Sequence, residues 1–180
     1  MRYRRARTPG VTYFFTVITY QRQKIFHHAE AVELLRQVFR HVKQNHPFNI
    51  DAMVVLPDHL HSLWTLPPDD AKFSTRWRLI KSEFTRLCPE SYKQQCSLSR
   101  LSKGEQAVWQ RRFWEHQIRD ETDFIHHIEY IHYNPVHHRL VKAPKDWAYS
   151  SFHHYVRDGI YEADWGAEEA ITFGVDVGRE

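Results

Sequence analysis

The sequence predicts an α+β fold: a ferredoxin-like split βαβ antiparallel sheet with helices on one face and an appended C-terminal helix. Three observations carry this. Segments of strand and helix periodicity follow one another in the order β-α-β-β-α-β-α. The two middle strands are separated only by Pro57-Asp58, a tight-hairpin signal. A chain of 180 residues with 42% hydrophobic and 14% aromatic side chains is long enough for one well-buried core and short for two.

Arg2, Arg4, Arg5 and Arg7 alternate with other residues before the breaker Pro9-Gly10, so residues 1–10 read as a basic arm. Val11 to Tyr20 is dense in β-branched and aromatic residues that pack on a pleated surface, which predicts the first strand. From Ala29 to Asn45, Val32, Leu35, Val38, Phe39 and Val42 recur at three and four, the spacing of an amphipathic helix that stops before His46-Pro47. Phe48–Leu56 and His59–Leu66 are the hairpin strands. Helical spacing resumes over Phe73–Leu87, with Arg76, Arg78, Lys81 and Arg86 on the remaining outer surface, which reads equally as a solvated charged face or as one turned toward DNA. Residues 89–107 lack periodicity and read as a long surface loop. Phe113–Ile118 is the last strand, and Asp120 caps a final helix that runs from Thr122 and stops at Asn134-Pro135. Residues 11–157 then form one domain, and 158–180 an acidic tail.

The charge is uneven. Net charge is +3, but residues 158–180 hold seven acids against one arginine, so the preceding 157 residues carry 24 basic against 15 acidic side chains, a balance of +9. A basic body rich in aromatic rings suits a polyanion, because Lys and Arg neutralise phosphates and rings stack on unpaired bases. Cys88 and Cys96 fit neither a disulfide framework nor a paired-cysteine metal pattern. No apolar run reaches the length of a membrane span, and Met1–Arg7 leads into no signal-type segment, so the expected location is cytoplasmic.

Chemistry concentrates in two places. In a strand, His59 and His61 share a face about 6.6 Å apart, with Leu60 turned into the core behind them. Paired imidazoles on a rigid strand are most of a small open site for a divalent metal, although two histidines on the wet face of a strand give the same pattern. Tyr130 and Asn134, four apart on the last helix, share one face. Tyr supplies a phenolic oxygen able to act as a covalent nucleophile, and Asn an amide oxygen for a hard cation. Read without the rest of the chain, the same pair is a core tyrosine and a helix stop.

Taken together, Pro57-Asp58-His59-Leu60-His61, Gln110-Arg111-Arg112-Phe113-Trp114-Glu115-His116 and Tyr130-Ile131-His132-Tyr133-Asn134-Pro135 resemble the REP-associated tyrosine transposases of bacteria. These are relatives of the insertion-sequence transposases within the single-tyrosine His-hydrophobic-His (HUH) endonuclease superfamily. The resemblance spans about residues 1–165. It departs at Val11-Thr12-Tyr13-Phe14, where the family has a Gly-Thr-Trp-Phe-like segment, and nothing in it matches the acidic tail. It implies an enzyme that nicks and joins single-stranded DNA at hairpin-forming repetitive extragenic palindromes through a 5′-phosphotyrosine. His59, His61 and Asn134 would hold Mg²⁺ or Mn²⁺, and Tyr130 would be the nucleophile, helped to ionise by the metal or by a base such as His132. Arg2, Arg4, Arg5, Arg7, Arg111 and Arg112 are the candidate DNA-backbone contacts. The resemblance further implies a monomer, with a dimer as the alternative, working at the bacterial nucleoid. Two rivals stay open at this point: a non-catalytic module that binds repeat DNA, and a metal nuclease using activated water with Tyr130 structural.

Overall fold

The computed structural model describes residues 8–168, 170–174 and 177–178. In chain order the elements are β1 (Thr12–Ile18), α1 (Ala29–Asn45), β2 (Asn49–Val55), β3 (His59–Thr65), α2 (Phe73–Leu87), the short α3 (Leu98–Leu101), β4 (Trp114–Gln117), α4 (Glu121–His137) and α5 (Phe152–Arg157). The strands form one antiparallel sheet in the order β2-β3-β1-β4. This is the split βαβ arrangement that the periodicities predict. Among the described residues no helix is long and apolar enough to cross a membrane.

Strand alternation assigns the two faces. Tyr13, Phe15 and Val17 of β1, with Leu60 and Trp64 of β3, meet Leu35, Val38 and Phe39 of α1 and Phe73, Trp77, Ile80 and Phe84 of α2. Trp64 stacks on Trp77 at 4.3 Å between ring centroids. On the opposite face Phe14, Ala52, Val54 and Leu63 pack against Ile128, Tyr130 and Ile131 of α4. Helices α1 and α2 therefore share one face, and the appended helix covers the other, the face that carries His59 and His61. The turn forms as Pro57-Asp58 predicts, with the Leu56 amide donating to the His59 carbonyl at 2.8 Å.

Three local expectations need correction. The segment 89–107 holds a 3₁₀ turn at Glu90–Tyr92 and the helix α3, both too short to show a period. Helix α4 does not stop at Asn134-Pro135 but runs through Pro135 to His137. A proline deletes one backbone donor, and burial of Ile131, Asn134 and Pro135 outweighs that loss in the last turn. The His138 amide still reaches the Asn134 carbonyl at 2.9 Å.

Arg76 is the third. It is 2% exposed rather than part of the outer charged surface. Its guanidinium donates to the carbonyls of His46 and Pro47 and to the Asp70 carboxylate, at 3.2, 2.7 and 2.8 Å, clamping α2 to the α1–β2 connection. The Arg76 hydrogen bond, foremost, holds the Asp70 carboxyl below its usual value. Arg76→Met is expected to cost about 2 kcal/mol, because it takes the charged donor from three partly buried acceptors. An acid lowered by folding contributes stability that is present above its unfolded pKa and lost as pH falls through the folded one. Urea melts at pH 7 and pH 3 test both parts: the variant should be weaker at pH 7 and should lose less than the wild type on acidification.

Candidate active site

The site is built where α4 crosses β3 and β1. His59 and His61 lie on the same face of β3, 2% and 0% exposed, with ring centroids 5.0 Å apart at 81°. Their outer nitrogens are already engaged. His59 Nδ1 donates to the Asp58 carboxylate at 2.6 Å, and His61 Nδ1 shares a hydrogen bond with Thr16 Oγ1 at 3.0 Å. Burial alone would raise the Asp58 carboxyl, but the hydrogen bond and charge of His59, together with Arg22, outweigh it and hold it below the ordinary value. The Asp58 carbonyl also takes the Thr19 amide and hydroxyl, at 2.9 and 2.8 Å, which fixes the turn ahead of His59. Rings oriented through Nδ1 would meet a metal through Nε2, the arrangement in which a carboxylate or hydroxyl behind a ligand sets its tautomer and angle.

Helix α4 supplies the rest. Asp120 caps it as expected, accepting from the Asp123 amide at 2.8 Å. Tyr130 is 5% exposed, its ring centroid 5.2 Å from that of His61 and 6.0 Å from Phe14. Asn134, one turn on, is fully buried. The fold thus gathers His59, His61, Tyr130 and Asn134 on the α4 side of the sheet. Two imidazoles and an amide oxygen form a donor set that suits a divalent cation, so these residues fit such an ion. His138, unremarked in the sequence, brings its ring 5.2 Å from that of His59.

The segment after α5 returns to this place. Tyr161 stacks on Trp165 and on Phe152, anchoring the chain beside α4. Phe173 then meets the Tyr130 ring edge-on at 5.4 Å, and the Tyr130 hydroxyl donates to the Gly178 carbonyl at 3.4 Å. Gly178, at φ +69°, passes so close to the Tyr130 ring that a Cβ there would overlap it.

Other expected site residues lie elsewhere. Arg111 pairs with Glu105 at 2.8 Å and lines a cleft of about 670 Å³ against Lys81 and Arg86 of α2, on the other side of the sheet. Arg112, beside it in sequence, is exposed. Arg2, Arg4, Arg5 and Arg7 fall outside the described residues. His132 does not stand beside Tyr130 Oη as a base would. It is fully buried, its Nε2 bonded to Ser151 Oγ at 2.8 Å and its ring set against Phe152, Tyr155 and Tyr161. Two residues along a helix turn a side chain by about 200°, which takes it away from the sheet. Burial pushes its pKa down to about 3, so it stays neutral in the packing between α4 and α5.

Comparison with known proteins identifies the family. Residues 8–134 match the family described as Transposase IS200 like. A REP-associated tyrosine transposase of Escherichia coli (strain K12) is 42% identical over 167 residues, 92% of this chain and 91% of that protein. A Haemophilus influenzae protein provisionally given the same name is 39% identical over 97% of this chain and 98% of its own length. A solved REP-associated tyrosine transposase bound to a REP hairpin superposes with a TM-score of 0.81 at 39% identity, covering 100% of this chain and 98% of that one. With the fold, the paired histidines and the helix-borne tyrosine all in place, the chain belongs to the REP-associated tyrosine transposases, enzymes of the Transposase IS200 like family.

Proposed function

We propose that this protein cleaves and rejoins single-stranded DNA beside hairpin-forming repeats through a covalent bond to Tyr130. The observation that carries the reading is the meeting of Tyr130 on α4 with the oriented His59–His61 pair on β3, rings 5.2 Å apart, with Asn134 one turn further on. Tyr130 Oη attacks the scissile phosphorus. The P–O3′ bond breaks as the O–P bond forms, leaving the 5′-phosphate on Tyr130 and a 3′-hydroxyl that takes up a proton. A 3′-hydroxyl attacking the phosphotyrosine reverses the step, so strands rejoin without external energy.

His59, His61 and Asn134 would hold Mg²⁺ or Mn²⁺, which when bound polarises the phosphate and neutralises charge developing on it. Asp58 and Thr16 hold the imidazoles at the angle that this binding needs. Phe14, packed against both His61 and Tyr130, keeps the nucleophile's ring registered on the sheet. Arg111, Arg112 and the N-terminal arginines would contact the DNA backbone. The hairpin complex of the solved relative supports hairpin DNA as the partner. The paired histidines beside a helix-borne tyrosine favour catalysis over a purely recognising module. Monomeric action is proposed, since one chain carries every residue named here.

A strand end reaching Tyr130 must displace Phe173 and Gly178, which lie against its ring and hydroxyl. Deleting the chain from Ile171 is expected to speed adduct formation about tenfold if the covered arrangement outweighs the open one by that ratio. Single-turnover rates of the two proteins measure it, and equal rates would mean that the segment moves aside freely.

The defining test is an end-labelled hairpin oligonucleotide incubated with Mn²⁺ or Mg²⁺ and run on a denaturing protein gel. Label should migrate with the wild type. Cleavage without any such band would instead make water the nucleophile.

A further inference from the structure

Beside the site, at the other end of the same helix face, sits a second set of metal-binding side chains. His116 on β4 and Asp123 and His127 on α4 bring one imidazole nitrogen each and a carboxylate oxygen within 4.8 Å of one another. His116 Nε2 is 2.8 Å from Asp123 Oδ2, and the His116 and His127 rings lie stacked, 4.8 Å between centroids. Bonds of about 2.0–2.1 Å in tetrahedral geometry place neighbouring donors about 3.4 Å apart, so the two rings must turn about their side-chain torsions to bring all three donors onto one ion.

From these residues we propose a second cation site, made of His116, Asp123 and His127, that takes a divalent transition ion of the Zn²⁺ or Co²⁺ kind. Several independent features favour it. His127 is 1% exposed and its Nε2 is buried with no hydrogen-bond partner, although buried polar atoms are ordinarily paired. Its Nδ1 lies 2.7 Å from the Asp123 carbonyl, where it acts as donor; the remaining nitrogen then carries a lone pair. Asp123 is 6% exposed and accepts hydrogen bonds from Arg119 and His116.

The surroundings are apolar, with the His127 ring 4.8 Å from Phe14 and the His116 ring stacked on Trp114 at 5.9 Å. Arg119 Nε now sits on Asp123 at 3.2 Å, but its side chain is 67% exposed and can swing into solvent when an ion neutralises the carboxylate. With no substrate phosphate oxygens to complete the shell, two imidazole nitrogens and one carboxylate oxygen suit a borderline ion. Coordination would tie β4 to the first two turns of α4. His127 lies three residues before Tyr130, so the ion would hold the helix that presents the nucleophile.

The test is Co²⁺ titration of the full chain, followed by visible absorption, with circular dichroism as the check on folding. Wild-type protein should bind two equivalents and His59→Gln/His61→Gln one. Adding His127→Gln or His116→Gln to that double variant should remove the last equivalent. A folded His59→Gln/His61→Gln protein that binds no Co²⁺ overturns the proposal, as does one whose single equivalent survives both further changes. If the triple variants misfold, Zn²⁺ still decides the matter by raising, or failing to raise, the Tm of the double variant. A wild-type protein with one equivalent that His127→Gln abolishes would uphold this site and count instead against metal binding by His59 and His61.

Discussion

Tyr130→Phe should abolish both strand cleavage and the protein-linked DNA species while leaving hairpin affinity within about twofold. The substitution removes one oxygen and keeps the ring that packs against Phe14, His61 and Phe173, so the helix and the face it covers stay in place. Loss of a covalent nucleophile is felt on a scale of about 10⁴-fold or more, because the residual activity is only what binding and charge stabilisation supply. Cleavage kinetics and a binding titration on the same oligonucleotide check it. A Phe variant that still cleaves within tenfold of the wild type would make Tyr130 a packing residue.

The second large effect concerns the imidazoles. His61→Ala is expected to drop cleavage by more than about 100-fold, beyond the 10–100-fold range typical of residues that only orient a metal ligand. Thr16→Val tests that range directly. It keeps the shape of β1 but withdraws the Oγ1 that holds His61 Nδ1 at 3.0 Å, so cleavage should fall about 10- to 100-fold and recover in part at raised Mn²⁺. Comparable rates for Thr16→Val and the wild type across metal concentrations would mean that the strand alone orients His61.

Much of this architecture could be read from residue order because it rests on short-range periodicity. His59 and His61 share a face for the same reason that Leu60 and Trp64 share the other: strand side chains alternate. Tyr130 and Asn134 align because four residues make about one helical turn. Thr16 could not be found this way. It meets His61 only through the β1–β3 register, across 45 residues of chain. Asp58 was visible as a turn former, yet its role behind His59 depends on how the turn directs its carboxylate inward. The three positions where local rules misled have a common cause. Arg76, His132 and Pro135 each look like surface or breaker residues by type, and tertiary packing buries all three. The contacts of Phe173 and Gly178 with Tyr130 lie beyond periodicity altogether, since no repeating pattern leads to them. His116 was quoted in a motif without a role, because Asp123 and His127 join it only once α4 is laid over β4.

The measurement closest to the central claim is mass spectrometry of the tryptic peptide spanning 120–139, taken from wild-type protein after reaction with a hairpin oligonucleotide and nuclease trimming of the attached strand. This peptide contains both Tyr130 and Tyr133. A nucleotide 5′-phosphate mapped to Tyr130 is the predicted result. An unmodified peptide recovered from a reaction in which the DNA was cleaved, or the same adduct mapped to Tyr133, would contradict the account.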